Sequence, residues 1–161
     1  MPKFLVFKAH LTKVDRDTVN GVQHPFLSGW NASPKIAAYA AVAHPIGSVS
    51  EVDVLAATIH RVYVHGITAT ADSLEQMFEY DNAPWGCEAV QPTYHAKGLR
   101  SLSVGDLVMQ IPCGGNEGHS EATLHVCEGI GWAKLSDRAR HAFIADMPTL
   151  ERKVNALEEA A

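Results

Sequence analysis

Apolar residues come in short runs separated by polar, glycine- and proline-containing stretches, and the spacing changes along the chain. Phe4 to Leu11 clusters aromatic and β-branched residues and predicts a strand; the polar run Lys13 to Asn20, ending in Asn20-Gly21, predicts a turn. Ser33-Pro34 offers an N-cap followed by proline at the first helical position, so an alanine-rich helix is expected over Lys35 to Ala43, stopped at His44-Pro45. Its small side chains permit close approach to a neighbouring element. Between Val54 and Ile67 two periods overlap. Leu55, Ile59 and Val62 suit a helix, whereas Ile59 to Val64 alternates with a β-rich composition, and a strand over Thr58 to Gly66 is the preferred reading. Ala71-Asp72-Ser73 opens a helix with Leu74, Met77 and Phe78 on one apolar face, ending near Asn82-Ala83-Pro84.

Pro84 to Gly98, with Trp85 and Tyr94, reads as a long surface connection pinned by aromatic anchors. Val104-Gly105-Asp106 forms a turn into the strand Leu107 to Ile111; Gly114 to Gly118 breaks the chain, and Ala122 to Cys127 and Gly131 to Leu135 resume as a hairpin. Ser136 caps a helix reaching about Asp146. A last helix from about Thr149 carries the apolar stripe Leu150, Val154 and Leu157, and its acidic end, Glu158 and Glu159, opposes the helix dipole and should fray. These elements predict an α+β fold: one domain over residues 1–161, with a small, mostly antiparallel sheet or partly open barrel, flanking helices and a C-terminal helical segment. Its three stretches are 1–53 (strand and alanine-rich helix), 54–135 (sheet core) and 136–161 (terminal helices).

Composition narrows the function classes. A chain of 161 residues with 47% hydrophobic content can bury a core without disulfides or metal, and nothing forces a cofactor. Thirteen Lys plus Arg against 18 Asp plus Glu leave a net charge of −5, which opposes sequence-independent attraction to nucleic-acid phosphates. Cys87, Cys113 and Cys127 are an odd number at irregular spacing, pointing to a reducing, cytoplasmic setting. Phe4-Leu5-Val6-Phe7 is too short for a signal-peptide core or a membrane span, so no membrane association is expected.

Nine histidines invite a metal reading, with Cys113, His119, His125 and Cys127 the tightest cluster. Zinc takes such nitrogen and sulfur ligands, but usually through paired short spacings that this chain lacks. His125 and Cys127, two apart on a strand, would share a face; Cys113 and His119 would have to fold over from the glycine loop. The competing reading makes Cys127 a buried small hydrophobe and His119 a solvated loop residue. Cys87 with His95 as base would make a thiol enzyme, although spacing alone does not establish proximity. The glycine stretch lacks the Lys-Ser/Thr of a phosphate cradle. His60 and His65 are expected on opposite sides of a half-buried strand.

Leu74-Glu75-Gln76-Met77-Phe78-Glu79-Tyr80-Asp81-Asn82, then Pro84-Trp85, then Arg100-Ser101-Leu102-Ser103-Val104-Gly105-Asp106-Leu107-Val108, then Gly129-Ile130-Gly131-Trp132 make up a recurring pattern. This segment, Ser73 to Leu135, resembles small uncharacterised proteins of phages, plasmids and other mobile elements described as YodL-like. The insertion Cys113 to Glu121 and the N-terminal third depart from the pattern. The resemblance implies a mobile-element context and no known reaction. Physically the Arg100 to Val108 run reads as scaffold: Ser101 and Ser103 bond nearby backbone, Gly105 permits positive φ, and Asp106 accepts backbone N–H groups, with Arg100 paired to it or facing a ligand. The leading expectation is a non-enzymatic accessory protein that binds a host protein or protein–nucleic acid complex, inhibition of a host defence system such as CRISPR being one form, with Trp85, Tyr94, Arg100 and Asp106 as candidate binding residues. A small β-rich nucleic-acid-binding module using Trp85, Tyr94 and Arg100 to stack or pair with bases is the alternative, and a metal- or Cys/His-dependent enzyme a third.

Overall fold

The computed structural model describes residues 2–19, 33–45, 47–82, 93–94, 102–112 and 122–146. Its elements run β1 (Lys3–Ala9), α1 (Lys13–Val19), α2 (Pro34–Ala43), α3 (Glu51–Ile59), β2 (Tyr63–Thr70), α4 (Leu74–Asn82), β3 (Thr93–Tyr94), β4 (Leu107–Ile111), β5 (Thr123–Cys127) and β6 (Trp132–Lys134). A further helix, α5, covers 137–146. The strands form one antiparallel, open sheet in the order β3-β2-β1-β4-β5-β6, the α+β architecture that the sequence predicts. Among the described residues its edge strands are the shortest, two and three residues, a length that limits edge-to-edge pairing. The connections Pro84 to Gly98 and Gly114 to Gly118, apart from β3, and the helix expected from Thr149 lie outside the described residues.

Alternation along the strands divides the core into two layers. Leu5, Phe7, Ala9, Tyr63, Leu107, Met109, Leu124 and Val126 point to one side, where they meet Val42 of α2, Val54 and Ala57 of α3, and Ala139 and Phe143 of α5. Phe143 stands edge-on to Phe7, ring centroids 4.8 Å apart, an arrangement worth about 1 kcal/mol beyond its burial. Phe4, Val6, Ile67, Ala69 and Val108 point to the other side, under Met77 of α4, with Leu102, Ala71 and Trp132. Val6 pairs with Ile67 but Phe7 pairs with His65, so Gly66 is an extra residue in β2. This bulge resets the alternation and brings His65 and Thr68 onto one face.

The expected α2 forms with Ser33 as N-cap, its hydroxyl accepting from the Ile36 N–H. Three expectations need correction. The polar run from Lys13 folds as α1 instead of a turn, because Thr12 and Asp15 cap one another: the Asp15 N–H donates to Thr12 Oγ1 and the Thr12 N–H to Asp15 Oδ2, each at 3.2 Å. The strand expected over Thr58 to Gly66 is displaced by α3, which Ser50 caps, and β2 starts only at Tyr63. His60 is therefore the C-cap of α3 and not a strand residue. Finally, Leu74 and Met77 of α4 meet the core as expected, but Phe78 is 38% exposed.

Candidate functional site

The bend before β4 holds Asp106, the most buried charged side chain among the described residues. Gly105 adopts φ +89°, and a Cβ there would meet the Val42 carbonyl oxygen of α2 at 2.0 Å. Only glycine combines that dihedral with that approach. The next residue, Asp106, is fully buried; its Oδ1 accepts from the Ala9 N–H and its Oδ2 from the Ser103 N–H, both at 2.9 Å. The Tyr63 hydroxyl donates to the Gly105 carbonyl at 2.7 Å, while the Gly105 N–H donates to the Cys127 carbonyl and the Cys127 N–H to the Asp106 carbonyl. Carboxylate and tyrosine thus extend the ladder where the β1–β4 pairing stops at Phe7 and Leu107, the scaffold role that the serine-flanked bend suggests. Ser103 contributes its backbone N–H to this arrangement.

A second buried polar contact joins β1 to α4. Lys8 Nζ lies 3.0 Å from Asp81 Oδ1 and 2.9 Å from Oδ2, and both side chains are over nine-tenths buried. Asp81 Oδ2 also accepts from the Leu102 N–H at 2.6 Å, so one carboxylate ties α4 to the approach of β4. His65 is interior as well, stacked on Phe7 at 4.7 Å and hydrogen-bonded through Nε2 to Thr68 Oγ1 at 2.9 Å.

His125 and Cys127 do share one face of β5, as alternation requires, opposite Lys134 and Trp132 of β6. His125 Nε2 bonds Thr123 Oγ1 at 2.9 Å, and partial burial together with the Lys134 charge holds its pKa below the ordinary histidine range. Cys127 is buried at 5% exposure, its thiol 3.7 Å from the Glu128 carbonyl. Among the described residues no three His, Cys, Asp or Glu side chains converge as metal ligands. Cys113, His119, Trp85, Arg100, Cys87 and His95 lie outside the described residues; Tyr94 is placed opposite Ile67 in the ladder, and nothing further of it is described.

Among the described residues, one surface groove is apolar. Helices α3 and α5 begin side by side, because Glu51 accepts from the Ser136 N–H at 3.3 Å and from the Ser136 hydroxyl. Between them runs a groove of about 450 Å³ walled by Leu55 and Ile59 on one side and Ala142 and Ala145 on the other, with Arg138 and Asp146 at its charged positions. Thr58, also in the lining, spends its hydroxyl on the Val54 carbonyl at 2.8 Å. Val52, Leu55 and Ile59 stand at i, i+3 and i+7 on α3, with Val52 74% and Ile59 73% exposed. At the far end Asp146 Oδ2 is buried with no hydrogen-bond partner among the described residues. The strand reading of this stretch hid the row; the helical period through Leu55 and Ile59 was its signal. The chain matches no family model, no curated protein and no solved structure.

Proposed function

We propose that the chain is a non-catalytic accessory protein that acts by binding a protein partner, and that the α3–α5 groove receives an amphipathic helix of that partner. The observation that carries this is the half-buried Leu55 and exposed Ile59 of α3 beside the small residues of α5, with exposed Val52 continuing the i, i+3, i+7 row along α3. The large aliphatic residues on a solvent face contrast with an interior where the polar groups hold backbone together. The net charge of −5 favours a basic protein surface over nucleic acid. The resemblance to mobile-element proteins supports a host protein as partner, with inhibition of a defence system as one form.

The test is comparative capture from host lysate by the wild-type chain, by Ile59→Asp, and by Phe78→Asp as an exposed apolar control on another helix. A protein retained by wild type and Phe78→Asp but lost with Ile59→Asp supports the proposal. Equal retention by all three overturns the groove, and salt-sensitive retention of RNA alone would favour the nucleic-acid alternative.

A further inference from the structure

We infer, on the basis of the groove reading in the preceding section, that the partner helix has a fixed direction and charge pattern. It runs antiparallel to α3 and α5, with a Lys or Arg beside Asp146 and, about eight residues further on, an Asp or Glu beside Arg138. Helices α3 and α5 start from one contact, Glu51 on Ser136, and both run from it along the groove, so their dipoles point the same way. Their carbonyl ends, each partially negative, lie together at the end holding Ile59 and Asp146. The two dipoles therefore favour a third helix running in the opposite sense, its own N-terminus toward Asp146.

The groove's two charged side chains make the same choice. Arg138 sits in the first turn of α5 and Asp146 is its last described residue, so each stands where its charge opposes the dipole of its own helix. For an antiparallel neighbour the same placement is favourable, because the carboxylate meets that helix's positive end and the guanidinium its negative end. Neither charge is neutralised by its surroundings. Arg138 is exposed and makes no ion pair among the described residues, while the acids near it are engaged, Glu51 with Ser136 and Asp137 with Arg140 at 3.6 Å. Asp146 is half-buried, and its Oδ2, shielded from water, has no hydrogen-bond partner among the described residues, a state that costs free energy until a donor reaches it. A Lys or Arg on the docked helix supplies that donor. From position 138 to position 146 the axis of α5 advances about 12 Å, at about 1.5 Å per residue, which sets the spacing of the opposite charges on the partner.

Two synthetic peptides, read by fluorescence anisotropy at low salt, test the inference on the full chain. Both carry leucines spaced i, i+3, i+7, with Arg and Glu about eight residues apart at the edge of that stripe; one has Arg first, the other Glu first. The wild-type chain should bind the Arg-first peptide about fivefold or more tightly than its isomer, since the exchange turns two attractive contacts into repulsive ones. The Glu-first peptide is the better helix by itself, so peptide helicity works against this result. Asp146→Asn should reduce the preference, and Arg138→Asp combined with Asp146→Arg should invert it. That double variant sets each charge where the α5 dipole favours it, and circular dichroism should show an unchanged fold. Equal binding of both peptides, abolished by Ile59→Asp, overturns the inference and leaves the groove standing, as does a preference that survives the double exchange. Binding that Ile59→Asp leaves unchanged, or no binding of either peptide, removes the groove reading and the inference with it. A sedimentation mass that doubles with concentration in wild type but not in Ile59→Asp puts a second copy in the groove and overturns the inference.

Discussion

Replacing Gly105 by alanine tests how α2 and the sheet are joined. Two costs add. A non-glycine residue at φ +89° costs about 1–2 kcal/mol relative to glycine. The new Cβ would also stand 2.0 Å from the Val42 oxygen and 2.6 Å from its carbonyl carbon, atoms of helix backbone that cannot rotate away. Moving the last turn of α2, whose Val42 is fully buried, adds about 1–3 kcal/mol on the scale of overpacked cores. The sum, about 2–5 kcal/mol, is a large part of the stability of an ordinary domain. At about 2–4 °C per kcal/mol for a chain of this size, the melting midpoint should fall by roughly 4–20 °C. Gly47 is the control: its φ is +86°, but an added Cβ there meets nothing within 4 Å. Gly47→Ala carries the conformational cost alone, and the effect of alanine on the unfolded chain is common to both variants. Urea denaturation followed by circular dichroism should give Gly105→Ala the lower midpoint by at least about 1 kcal/mol. Equal midpoints would refute the close approach of α2 to the β4 bend.

Two further outcomes follow from the polar groups. Lys8→Met or Asp81→Leu each strands a buried charge and should cost about 3 kcal/mol or more, whereas the double variant should cost less than their sum by about 1–3 kcal/mol in urea titrations; additive losses would mean that the two side chains do not interact. Because burial and Lys134 depress the His125 pKa in the folded state, the unfolded chain binds more protons below about pH 6.5, so the stability held above that pH falls on acidification. His125→Gln should flatten this part of the stability–pH profile, and an unchanged slope would remove His125 as its source.

Elements with local signals were legible in the sequence. Ser33-Pro34 marks the start of α2, and Val104-Gly105-Asp106 marks the bend into β4, whose limits, Leu107 and Ile111, match the expected strand. Helix α3 was not, and its ending explains why. The Val62 N–H donates to the Ala57 carbonyl and the Arg61 N–H to that of Thr58, the two bonds of a Schellman motif, yet the left-handed position is filled by Arg61 at φ 59° where glycine is usual. With no glycine to announce the stop and several β-branched residues in its body, the stretch reads as a strand. The groove depends on α3 lying beside α5, and the Lys8–Asp81 pair on residues 73 apart. No local pattern encodes either contact. Alternation, by contrast, suffices to put His125 and Cys127 on one face.

The strand nearest the amino terminus is interior to the sheet, flanked by β2 on one side and β4 on the other. During synthesis β2 can join it early, but the opposite flank stays bare until Leu107–Ile111 has emerged, and the Ala9 N–H waits for a carboxylate 97 positions later. A nascent chain stalled between those points would present the raw side of an apolar strand to its surroundings, so premature truncation should yield insoluble product rather than a smaller working protein.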